Sequence, residues 1–74
     1  MMDFVYDVES LRASVKGERT NAQALRELAA RYAPDVREKM LALAEMHERV
    51  AASREWCAQK FEQLAARKAK EVQS

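Results

Sequence analysis

Apolar residues recur in alternating steps of four and three along almost the whole chain, and one proline interrupts them. The series Phe4, Val8, Leu11, Val15, Ala22, Leu25, Ala29 and Tyr32 leaves Glu18 as its one polar position. After Pro34 it resumes at Val36, Met40, Leu43, His47, Val50, Arg54, Cys57, Phe61, Leu64 and Lys68. This is the heptad spacing of helices that pack along a narrow seam. With one glycine, one proline and 14 alanines in 74 residues, nothing competes with a helical reading. The fold class predicted is all-α.

Pro34 decides between a kinked rod and a hairpin. A proline inside a helix costs about 3 kcal/mol and pushes the preceding residue, Ala33, out of the helical region. Asp35 and Glu38 follow in capping-box spacing, and the seam takes two four-residue steps in succession across Tyr32, Val36 and Met40. A break, a restart signal and a register change coincide. The expectation is therefore an antiparallel hairpin. Its helices span about 3–33 and about 35–71, with the turn at Ala33–Asp35 and one domain over 1–74. Gly17, in the stretch KGERTN, could loosen the first helix, and Thr20 with Gln23 has the spacing of a second start signal. The seam keeps its phase across Gly17, which favours continuity.

Folding the seam about residue 34 places Phe4 near Leu64, Val8 near Phe61, Leu11 near Cys57 and Leu25 near Leu43. Glu18 then meets Arg54, so the two seam charges that most need a partner find one another. Alanines 44, 51, 58 and 65 run beside the seam, one per heptad, and would let a neighbouring helix approach closely. Two helices enclose little. A chain of this size is expected to dimerise into a four-helix bundle or to dock on a larger protein.

Charge and composition narrow the function. Thirteen basic and 12 acidic residues nearly cancel and are interspersed, which describes solvated helix faces rather than a nucleic-acid footprint. No apolar run reaches membrane-spanning length, the N-terminus MMDFVYDVES lacks a basic signal region, and the single cysteine suits a reducing, cytoplasmic setting. The richness in Ala and Arg fits a GC-rich bacterial or phage genome.

No residue set carries recognisable catalysis. Ala44, not Glu, stands three before His47, so the Glu-x-x-His pattern of carboxylate-bridged metals is missing, and Cys57 lies too far from His47 for a zinc pattern. His47, opposite Ala22, and Cys57 read most simply as seam residues. The expectation is no enzyme, no metal, no cofactor and no small-molecule substrate.

What remains are apolar residues off the seam: Trp56, Tyr6, Met46, Leu41 and Leu28. Trp56 stands out on a polar helix face, where tryptophan is a frequent binding anchor. The leading reading is a protein–protein interaction module that binds a larger protein as an inhibitor, adaptor or chaperone-like regulator. The alternative is a dimeric nucleic-acid-associated regulator using Arg12, Lys16 and Arg19 or the basic C-terminal end around Arg67, Lys68 and Lys70.

Overall fold

The structure, a computed structural model, describes residues 7–73, with side chains as far as Glu71. It is an all-α antiparallel hairpin of two helices, α1 (Val8–Ala29) and α2 (Pro34–Gln73). Phe4 and Tyr6 lie outside the described residues. The hairpin measures 61 × 22 × 13 Å, so it is a layer one helix thick.

The helix ends follow from their residues. Asp7 caps α1 by accepting a 2.7 Å hydrogen bond from the Ser10 backbone N–H, which also holds its carboxyl below the ordinary range. At the other end, the N–H groups of Arg31 and Tyr32 donate to the carbonyls of Leu28 and Ala29, at 3.0 and 3.1 Å, and tighten the chain out of α1. Arg37 then reaches back from α2. Its Nη2 donates to the Tyr32 carbonyl at 3.0 Å and its Nε to the Ala29 carbonyl at 3.3 Å. A cation thus closes the turn on the negative end of the α1 dipole.

The reversal occupies residues 30–33, slightly earlier than Ala33–Asp35, and Pro34 is the first residue of α2. A proline fits there because the first helical N–H has no intrahelical acceptor to lose. Ala33, not Asp35, precedes the helix, and its carbonyl accepts from the Arg37 N–H at 2.8 Å. Asp35 sits inside the first turn, where a carboxylate meets the positive dipole end.

α1 is continuous through Gly17, so neither the glycine nor the Thr20–Gln23 spacing starts a new helix. Gln23 instead donates to Glu27 at 3.0 Å.

The seam itself differs from the one expected. The buried residues are Leu11, Val15, Ala22 and Ala29 of α1 with Ala44, Ala51 and Ala58 of α2, and among the described residues no large side chain is fully enclosed. The alanines are the centre of the contact, not its flank. Val36, Leu43, Phe61 and Leu64, expected in the seam, are exposed, Leu43 at 44 %. The reason is geometric. A single layer of two helices can enclose only what lies directly between them, and small side chains there bring the axes toward the short end of the usual range. Larger side chains are displaced to the rims. Ala65, the next in the series, is exposed because α1 does not extend over it.

Ala51→Leu would force the helices apart and should cost about 1–3 kcal/mol, measured by urea unfolding, whereas Ala65→Leu should change little. Equal effects at the two positions would show that the alanine stripe is not the contact. Gly17 is exposed, and a Cβ built there meets nothing within 4 Å. Gly17→Ala should therefore stabilise the hairpin by about 0.5–1 kcal/mol; a lower melting temperature would show that the glycine is required.

Candidate functional site: two unlike rims

The close alanine contact leaves two rims along the hairpin, and their chemistry differs. On one rim Arg12 makes a bidentate pair with Glu62, both N···O distances 2.8 Å, and approaches Glu55 at 3.9 Å. Two heptads along α1, Arg26 pairs with Glu48 at 2.9 Å, two heptads back along α2. Arg19 and Glu55 occupy the heptad between. One arginine per heptad on α1 runs antiparallel to one glutamate per heptad on α2. In the sequence this ladder is two seven-residue repeats of opposite charge, Arg12, Arg19 and Arg26 against Glu48, Glu55 and Glu62, which interspersed charge alone does not distinguish from solvated helix faces.

The other rim carries a polar cluster. Glu18 Oε2 accepts from Arg54 Nη1 at 3.0 Å, so the expected Glu18–Arg54 pair is present. Two further partners join it. His47 presents its Nδ1–H to Glu18 Oε1, and Arg54 Nη1 also donates to Ser14 Oγ. His47 therefore does not simply lie opposite Ala22. One carboxylate sits between two bases a heptad apart, which three polar seam positions in an antiparallel register could have revealed. Its side chain is 20 % exposed. The His47 hydrogen bond, followed by the charges of His47 and Arg54, holds the Glu18 carboxyl below its ordinary range, against the opposing effect of burial.

A histidine oriented by a carboxylate resembles part of a nucleophilic triad, but the Ser14 hydroxyl is bound by Arg54 and not by His47. Among the described residues no group of three or more His, Cys, Asp and Glu is placed to hold a metal ion. The cluster joins the two helices to one another.

Beside this cluster lies an open apolar groove formed by Leu25 and Leu28 of α1 with Leu43 of α2, ending at Asn21 and His47. Leu28 and Leu43 are exposed, as are Val36 and Phe61 on the same side of α2. The residues singled out in the sequence do not gather in one place. Taking Ala51 as the point of contact and ~100° per residue, Met46 falls ~140° round toward the groove side, with Leu28. Leu41 and Trp56 fall ~80° and ~140° round toward the glutamate side, on the outer surface of α2. Tyr6 lies outside the described residues. Trp56 is 59 % exposed, with Lys60 Nζ 5.3 Å from its ring centroid, and Ala52, Ser53 and Cys57 complete a shallow depression beside it.

Of the cations weighed for nucleic acid, Arg12, Lys16 and Arg19 share one surface of α1 with Gln23 and Glu27, and Arg12 there is engaged by two glutamates. Arg67, Lys68 and Lys70 lie on the exposed end of α2, where every described residue from Gln59 to Glu71 is exposed. None of the described helices is long and apolar enough to cross a membrane.

The pH dependence of stability follows from Glu18. Its carboxyl binds a proton less readily in the folded chain than in the unfolded one, so its contribution is complete above the ordinary carboxylate range. It is lost as the pH falls through the lowered value. Melting temperature should fall as the pH drops through and below the ordinary carboxylate range, a fall shared with Asp7. Glu18→Gln should lower the melting temperature at pH 7 and make that acid fall shallower. Parallel curves for the variant and the native chain would show that Glu18 is not the group that senses acid.

No protein-family model matches the chain, and no curated protein or solved structure matches it, so its function has to be argued from these surfaces.

Proposed function

We propose that this protein is a small non-enzymatic interaction module that binds a larger protein through the outer surface of α2, acting as an inhibitor, adaptor or chaperone-like regulator. The observation that carries the reading is Trp56. A large aromatic ring stands more than half exposed on a helix that has no internal use for it, with the Lys60 ammonium over its face. Leaving such a ring in water forfeits roughly 2 kcal/mol of burial that a partner would recover. Tryptophan is also enriched among the few residues that dominate binding energies. Leu41, exposed on the same side about 22 Å nearer the turn, is a second, separate apolar point. The lone cysteine, Cys57, favours a reducing compartment such as the cytoplasm.

Covalent capture at the site provides the test. A photo-reactive residue at Gln59, one helical turn from Trp56, should give one dominant adduct with a larger protein when the chain is irradiated in its native host. Trp56→Ala should reduce that adduct at least tenfold while leaving the helical circular dichroism unchanged. Cross-links only to nucleic acid, only to other copies of the chain, or to no macromolecule at all would each exclude the reading.

A further inference from the structure

We infer that the apolar rim formed by Leu25, Leu28, Val36, Leu43, Val50 and Phe61 is covered by a second copy of this chain, giving a four-helix bundle that leaves Trp56 on its outside.

Apart from the Glu18–His47–Arg54 cluster, the rim is poor in carboxylates for a chain with 12 acidic residues. At ~100° per residue, Glu38, Glu45, Glu48, Glu55 and Glu62 of α2 fall on the ladder side of Ala51, as do Glu9 and Glu27 on α1 relative to Ala22, while Asp35 and Glu71 lie ~160° round, near the outer surface of α2. Within α1, Glu18 is the one carboxylate on the apolar side, and it is already bound by His47 and Arg54. A basic partner would find no free carboxylate at its centre to pair with. Two copies of this surface, placed face to face, would bury no unpaired carboxylate, and Lys39 at its edge is long enough to keep its ammonium in water.

Its size also suits a second copy. From Val36 to Phe61 the stripe runs for about 38 Å at 1.5 Å per residue. Across the 22 Å width of the hairpin this makes a surface of about 800 Å² on each copy, the area that a stable protein–protein interface typically takes from each partner. Along α2 the residues Val36, Leu43, Val50, Cys57 and Leu64 repeat every seven positions and are disposed symmetrically about Val50. A stripe of this kind can meet its own copy under a two-fold axis, apolar position against apolar position. The hairpin alone fully encloses no large side chain among its described residues, so this is also where a larger core would form.

The inference does not depend on Trp56 binding a partner, because the two surfaces point in different directions. Sedimentation equilibrium of the full chain at about 10 µM should show a dimer. Leu43→Glu should weaken association at least tenfold, and Trp56→Ala should leave it unchanged. A mixed sample gives a second readout that keeps the rim intact in the observed copy. In it, a spin label at Met46→Cys in a Cys57→Ser chain is combined with an isotopically labelled native chain. Amides of Leu28, Leu43 and Val50 in the native copy should broaden first and the Trp56 indole last. A monomer at 100 µM would overturn the inference, as would association lost in Trp56→Ala but kept in Leu43→Glu. If Leu43→Glu simply unfolds, the order of broadening decides: the Trp56 indole affected before the rim would overturn the inference.

Discussion

Contact between alanines determines nearly everything else about this hairpin. Ala44, Ala51 and Ala58 meet a surface made of Leu11, Val15, Ala22 and Ala29, and all seven are buried. Small side chains at the contact let the helix backbones approach closely, so the rims are brought within reach of one another. Only then can Arg12 span to Glu62 and Glu18 to both His47 and Arg54. The same choice has a cost. It buries little apolar area, because an alanine methyl contributes far less than a leucine, and it displaces Leu28, Leu43 and Phe61 toward solvent. A tight contact and an exposed apolar rim are two consequences of one geometry.

Alanine against alanine is a smooth contact, and smoothness leaves register poorly specified. Among the alanines alone, sliding α2 by one heptad would replace Ala51 with Ala44 or Ala58, although Leu11, Val15 and the short turn closed by Arg37 oppose it. The polar residues do not tolerate that slip. Moved by seven positions, Arg54 gives way to Phe61 or His47 at its place beside Glu18, and Ser14 loses the guanidinium that binds its hydroxyl. The arginine and glutamate ladder would still find partners after such a slip, but one rung fewer of them. Exposed ion pairs contribute little to stability. Here they act with the Glu18 cluster to select one alignment among several of similar packing energy, a role in which polar seam residues are well attested.

The sequence and the structure agree where heptad logic governs and part where thickness does. Two helices, the reversal near Pro34 and the Glu18–Arg54 pair were legible, because proline chemistry and the pairing of seam charges are local or depend only on register. The position of the seam was not. Heptad spacing marks the apolar stripe of a helix, but it does not say which part of a broad stripe faces the first neighbour. Large residues such as Leu43 and Phe61 were natural candidates for the centre, as in a two-stranded coiled coil with leucine at its seam. The repeated alanines at 44, 51 and 58 were the competing signal, and close approach of the backbones prevailed. His47 was missed for a related reason. The seam is read one residue against one residue, whereas the two oxygens of the Glu18 carboxylate reach both Arg54 and His47, a heptad apart on α2.

A layer 13 Å thick has no inside, so whatever this protein does must be done by its faces. They are chemically distinct. One rim is closed by arginine and glutamate that satisfy each other, and a ligand would have to displace bonds already made. The opposite rim is apolar beside the closed Glu18–His47–Arg54 cluster, and Leu28, Leu43 and Phe61 stand exposed on it. The outer surface of α2 offers Trp56 among small and polar neighbours, too narrow to stabilise a dimer but suited to an aromatic anchor. If the apolar rims close on each other, that anchor is presented twice on one particle. Two tethered anchors raise the effective concentration of the second once the first is bound, so a weak single contact becomes a firm one on any partner whose sites match the spacing. Self-association through one surface and recognition through another would thus reinforce each other in a chain too small to provide a large interface by itself.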